Sequence, residues 1–102
     1  MIHVIATVEL QPGKRDEYRP HFHWVQLLVQ AEAGCIEYAA AIDTPTTIRS
    51  QVPPRPDVVV IVEKWESLDA LYAHLKAPHM DEYRNRVATL VKSVSLQVLQ
   101  PA

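Results

Sequence analysis

The chain has 102 residues, 48% of them hydrophobic and 22% charged, with a formal net charge of −2 and a single cysteine. That length holds one domain, residues 1–102, and leaves so small a domain short of buried apolar surface, so a second copy is expected to complete it. No Lys/Arg cluster is present, which argues against nucleic acid as a partner, and the longest aliphatic run, Val58 to Val62, is far too short to cross a membrane.

Residues Ile2, Val4, Ala6, Val8 and Leu10 are apolar on one parity, which predicts a strand with one buried face. The chain enters that strand directly from Met1, without a basic and apolar leader pattern. Cys35 has no partner for an intrachain disulfide, and together these features predict a cytoplasmic protein. Gln11-Pro12-Gly13 turns the chain. From Lys14 the period becomes helical: Tyr18, Phe22, Val25 and Val29 recur on one side, with Leu28 widening the stripe. Pro20 inside this stretch predicts a kink or a second segment, and Gly34 marks the end. Cys35 to Ile42 reads as a second strand, weakly specified because of its three alanines.

Asp43 to Arg55 is rich in Pro, Thr, Ser and Gln and reads as a loop, too long for a tight hairpin turn and therefore functional or mobile. Asp57 to Trp65 carries the strongest strand signal. Its VVVIV run is apolar on both parities, so helices covering one face would leave an apolar stripe on the other. That stripe predicts a homodimer whose sheets pack face to face. Ser67 is suited to cap a short helix with Leu68, Leu71 and Leu75 inward. Pro78 interrupts it, and Met80, Tyr83, Val87 and Leu90 or Val91 mark a further helix. Val94, Leu96 and Val98 alternate with Ser93, Ser95 and Gln97 in a last strand. The order β-α-β, long loop, β-α-β predicts an α+β, ferredoxin-like fold with an antiparallel sheet and helices on one face.

Among residues able to carry chemistry, the five histidines make a weak metal signature. His21 and His23 are two apart on a helix and point about 200° apart. His74 and His79 are separated by Pro78, and no H-E-x-x-H or C-x-x-C pattern occurs. Nor is there a G-x-G-x-x-G, a P-loop or a G-x-S-x-G motif, which disfavours nucleotide cofactors and serine hydrolysis. Cys35, alone at a strand start, reads as a small apolar residue rather than a nucleophile. Glu63 shares a strand face with Trp65, aimed either at a pocket or at a subunit interface. Buried among apolar groups, its carboxyl would favour the protonated form. His74 flanks the leucine stripe and His79 follows the helix break, both suited to acid/base work near an apolar cavity. Trp65, Tyr72, His74, His79, Met80 and Tyr83 fall within about twenty residues, a density that points to a pocket.

Taken together, VIA in the first strand, PGK in the first turn, GCIEY, IVEKWES, AHLKAPHMDEY and the closing LQPA resemble the antibiotic biosynthesis monooxygenase family, most closely its small quinol monooxygenases. The resemblance implies a fold of the dimeric α/β barrel superfamily, with a hydrophobic cavity between sheet and helices. It also implies oxygenation of a small quinol or phenolic aromatic by O2, with no metal, haem or flavin cofactor. Position by position it implies His74 as acid/base group with His79 in reserve. Trp65, Tyr72 and Tyr83 are expected as the walls of the pocket, and Met80, Glu63 and Phe22 are expected to complete it. The haem-degrading branch uses an Asn, Trp and His set where this chain has Ala6, His74 and Arg84, which argues against haem breakdown. The aromatic-polyketide branch has Asn and Tyr where this chain has Ile61 and Leu71, which favours a smaller quinol. The alternative is a non-catalytic dimeric module that binds a small aromatic ligand, and outward-pointing His74 and His79 would favour it. An isomerase would need paired carboxylates or histidines across a polar cavity.

Overall fold

The computed structural model describes all 102 residues. Strand β1 spans Ile2–Leu10, helix α1 Arg15–Gln30, β2 Cys35–Ala41, β3 Val58–Trp65, α2 Leu68–Leu75, α3 Pro78–Val87 and β4 Val91–Leu99. The four strands form one sheet in the order β2-β3-β1-β4, antiparallel throughout. This is the predicted ferredoxin-like arrangement, with α2 and α3 together forming the second crossover. The last strand starts three residues earlier than the Val94 that opens its alternation.

Register decides which face each side chain takes. Val4 lies opposite Glu63 and Val98, and Ala6 opposite Ile61 and Leu96. The period of two therefore puts Val4, Ala6 and Val8 on one face with Val59, Ile61, Glu63 and Trp65. Helix α1 lays Tyr18, Phe22, Val25 and Val29 on that face, all buried. The resulting core holds 17 buried apolar residues, each full-sized one contributing about 1.5–3 kcal/mol of transfer free energy.

Several expectations change in the folded chain. Helix α1 runs unbroken through Pro20. A proline near the start of a helix removes one early hydrogen bond, and Phe22, Val25 and Val29, buried beyond it, hold the rest. Leu28 stands on the solvent side, 41% exposed, so it does not widen the stripe. In α2 the inward pair is Leu71 and His74, at i and i+3. Leu68 and Leu75 are left partly exposed because eight residues offer only a narrow inward face. Ser67 caps α2 through its Oγ, which accepts from the Ala70 amide at 3.2 Å. Pro78 opens α3 in the first turn, where its missing N–H removes nothing.

Gly34 adopts φ +82°, and a Cβ there would lie 2.6 Å from the Ala70 Cβ. No other residue type fits so close an approach. The Gly34 carbonyl also accepts from the Glu66 amide at 2.9 Å, which ties the turn after α1 to the start of α2. The long loop is clasped at its base: the Arg55 side chain donates twice to Asp43, at 2.8 and 3.0 Å, and its amide once more at 2.8 Å. Inside it, Gln51 donates to the Thr44 carbonyl at 2.8 Å.

Helices cover β1, β2 and β3 but not β4. Val94 and Leu96 point to the helix side yet remain 56% and 51% exposed. On the opposite side of the sheet Ile5, Val60, Val62 and Ala39 share one half-buried patch.

Candidate functional site

Between the sheet and the helix pair α2–α3 lies a cavity of about 240 Å³. Ala6, Ile61 and Leu96 form its floor, while Leu75, Met80 and Tyr83 close the helix side. Its polar groups are Tyr38, Glu63, His74 and Arg84. A mainly apolar chamber with a few convergent polar groups is the general form of a small-molecule site.

His74 is the centre of it. The residue is 1% exposed, with its ring tilted against Trp65 at 4.6 Å and edge-on to Tyr38 at 5.4 Å. Its Nδ1 lies 2.9 Å from Oε2 of Glu32. A carboxylate oxygen accepts, so Nδ1 carries the proton and Nε2 presents its lone pair. Nε2 looks toward Glu63 Oε1 at 3.9 Å, beyond hydrogen-bonding distance, on the wall of the cavity. Burial holds the imidazole below its ordinary pKa, although the Glu32 hydrogen bond pulls the other way.

Glu63 stands on the helix-facing side of β3, which places it in the cavity and not on the open sheet face. Burial raises its carboxyl to about 6, while the Trp65 Nε1–H, donated to Oε1 at 2.9 Å, partly offsets that rise. Tyr83 is fixed by a hydroxyl-to-hydroxyl hydrogen bond with Tyr18. Burial drives the Tyr38, Tyr83 and Tyr18 phenols above their ordinary range, so they remain neutral donors. Cys35 packs half-buried against the core, and burial pushes its thiol up, away from nucleophilic use.

Glu63, His74, Met80 and Tyr83, four of the residues expected from the sequence, line this cavity. Trp65 does not line it; it backs the site by orienting Glu63 and packing on His74. Phe22 stacks on Tyr38 at 5.5 Å and lines a second cavity of about 220 Å³ beside α1. Tyr72 lies outside both, 52% exposed. It is two residues from His74 on one helix, so burying His74 turns Tyr72 outward. His79 is not on the cavity wall; its Nε2 meets the same Glu32 Oε2 at 2.8 Å from the solvent side.

Glu32 is the group that sequence reasoning missed. It sits in the turn after α1, 42 residues from His74 and 47 from His79, and no local pattern links them. Tyr38 and Arg84 were missed as well, one in a weak strand and one on a polar helix flank. No three His, Cys, Asp or Glu side chains are arranged to hold a metal ion.

Residues 1–86 match the profile of the family described as Antibiotic biosynthesis monooxygenase. The chain belongs to that family. It is 35% identical, over 99% of its own length and 98% of the other's, to the Escherichia coli K12 protein named "Probable quinol monooxygenase YgiN". Among solved structures, Rv0793 from Mycobacterium tuberculosis superposes with a TM-score of 0.80 at 26% identity, covering 99% of this chain and 94% of that one. PA3566 from Pseudomonas aeruginosa shares the fold at a TM-score of 0.80 and 22% identity, over 99% and 93% of the two chains. This antibiotic biosynthesis monooxygenase family member thus keeps its cavity under α2 and α3, within the residues the family profile covers apart from the β4 floor.

Proposed function

We propose that the protein is a cofactor-independent monooxygenase that oxidises a small quinol or related phenol with O2. Family membership and the similarity to YgiN support the monooxygenase class. The observation that carries the reading is His74: a buried imidazole, oriented through Nδ1, with Nε2 on the wall of an apolar cavity. One inward histidine of the two also weighs against a purely passive ligand-binding module.

In this mechanism Nε2 of His74 takes the proton of a ring hydroxyl, and the electron-rich phenolate gives one electron to O2. The resulting superoxide joins the ring carbon, forming a C–O bond. The peroxide O–O bond then breaks, leaving one oxygen on the ring, and the other departs as water with the protons the substrate supplied. The substrate furnishes all four electrons that O2 accepts, so hydroquinone and O2 balance against hydroxyquinone and water. The protein binds the ring, removes its proton and keeps water from the intermediates. Glu63, partly protonated near neutral pH, returns a proton to the departing oxygen. His79 holds Glu32 and does not meet the substrate.

The active form in this reading is a homodimer. Ile5, Val60, Val62 and Ala39 form an apolar patch on the sheet face that no helix covers. Packing two such faces together removes it from water.

The test is O2 consumption by the chelator-treated protein over a panel of hydroquinones and naphthohydroquinones. Uptake above autoxidation that persists after chelation supports the reading. Absence of uptake across the panel returns the weight to a binding module.

A further inference from the structure

Two imidazoles from two different helices meet one oxygen. Glu32 Oε2 accepts from Nδ1 of His74 on α2 at 2.9 Å and from Nε2 of His79 on α3 at 2.8 Å. The three side chains form a gradient of exposure: His79 21%, Glu32 14% and His74 2%. The turn that carries Glu32 is itself pinned. The Glu32 amide donates to Val29 at 2.9 Å, the Cys35 amide donates to Glu32 at 3.2 Å, and Gly34 presses on Ala70 of α2. The backbone that carries the glutamate is thereby fixed from both sides.

We propose that Glu32, held from the solvent side by His79, is the positioning residue that sets the tautomer and orientation of His74 and stabilises its cation when Nε2 takes the substrate proton. This rests on the reading of His74 as the base. The chemistry follows from the shared oxygen. An acceptor at Nδ1 keeps the proton there and the lone pair at Nε2, on the cavity side. Once Nε2 is protonated, a positive ring sits in a nearly dry site, and the carboxylate at 2.9 Å is its nearest counter-charge. His79 fills a second lone-pair direction of the same oxygen, which fixes the rotamer of Glu32 and leaves it aimed at α2. The other titratable or charged groups around His74 are Glu63 on β3, Tyr38 and Cys35 on β2, and Arg84 on α3. Of the two carboxyl groups near His74, Glu32 and Glu63, only Glu32 reaches Nδ1.

The test reads the tautomer directly, by long-range ¹H–¹⁵N NMR on uniformly labelled, substrate-free protein, beside steady-state kinetics across pH. In the wild type His74 is expected as the Nδ1–H tautomer. In Glu32→Gln that preference is lost and kcat falls about 10- to 100-fold, with KM changed by less than about twofold. The acid limb of kcat/KM moves to lower pH in that variant, because the hydrogen bond that raises the His74 pKa is gone. Glu32→Asp recovers part of the rate, and His79→Phe shows a loss of a few-fold. A merely structural Glu32 would lower stability but leave tautomer and pH limb in place, and that result overturns the proposal. So does a wild-type His74 found as the Nε2–H tautomer. The NMR arm needs no substrate, so failure of every quinol sinks the oxygenase reading while the tautomer result still judges Glu32. Should Glu32→Gln not fold, Glu32→Asp and His79→Phe carry the same readouts.

Discussion

Two clusters of charged side chains in this molecule use similar groups to opposite ends. At the base of the long loop, Asp43 and Arg55 meet in water. Hydrogen bonds from Arg55 hold the Asp43 carboxyl down at about 2, so the pair stays charged at any ordinary pH and only closes the loop. Under α2, Glu63 and His74 are nearly sealed, and burial pushes both toward their neutral forms. The first cluster is electrostatically settled; in the second, burial opposes charge on both groups, and the proposed mechanism uses them for proton transfer. Burial, more than the identity of the charged groups, separates the loop clasp from the cluster proposed as the reactive centre.

The largest effect that would test this contrast is on catalysis. His74→Gln is expected to lower kcat for quinol oxidation by about 10²- to 10⁴-fold, the usual worth of a positioned general base. Arg55→Ala, which cuts the other cluster, is expected to leave kcat unchanged. Oxygen-electrode rates for both variants, with circular dichroism to confirm folding, decide the matter. Equal losses in the two would remove the distinction.

Next in size is the wall behind the site. Trp65→Phe removes the donor to Glu63 and part of a fully buried ring. Urea unfolding should show a loss of about 1–3 kcal/mol, and the Glu63 carboxyl should titrate higher than about 6 because its lowering hydrogen bond is gone.

Glu63 supplies a signed stability test. Its folded pKa of about 6 lies above the ordinary carboxyl value of 4.5, so its favourable contribution is present below that ordinary value and is lost as pH rises through 6. At pH 8 the ionised, buried group costs about 1–2 kcal/mol by linkage. Glu63→Gln is therefore expected to be more stable than the wild type at pH 8 and to lose that advantage toward pH 4. Denaturant midpoints at the two pH values measure it, and a variant no more stable at pH 8 would contradict the burial argument.

His74 runs the other way. Its folded pKa is depressed below 6.5, so the unfolded chain takes up this proton first and stability declines as pH falls below that value. The same depression keeps the base form available, and the acid limb of kcat/KM should lie below 6.5. The smallest effect is expected at the clasp: Asp43→Asn should leave the thermal midpoint unchanged between pH 5 and 8, as exposed ion pairs contribute little. A clear drop would show the loop to be coupled to the core.

Much of the fold was legible along the chain. Alternation in β1, the continuous apolar run of β3, the Tyr18–Phe22–Val25–Val29 stripe and the proline between α2 and α3 are local signals, and each element formed where its signal lay. Within the site, Glu63, His74, Met80 and Tyr83 were legible because one continuous segment carries them all. Tyr72 misled because nearness in sequence was taken for nearness in space, and Leu68 because a leucine stripe does not say how much of it a short helix can bury. Phe22 was placed in the wrong chamber, since helical spacing shows that a side chain points inward but not which cavity it meets.

By itself, then, the sequence determined the element order, the ferredoxin-like class, the apolar outer stripe of β3 and the family to which the chain belongs. The first three follow from periodicity and turn chemistry, which act over a few residues, and the family follows from the order of short motifs such as IVEKWES and AHLKAPHMDEY. Only the tertiary structure decided that Glu63 faces the cavity, that β4 stays uncovered, and that Glu32 joins His74 to His79. Strand register, helix docking and the Gly34 contact bring residues more than forty positions apart within hydrogen-bonding distance. No spacing along the chain encodes such a meeting, because it exists only once the elements have packed.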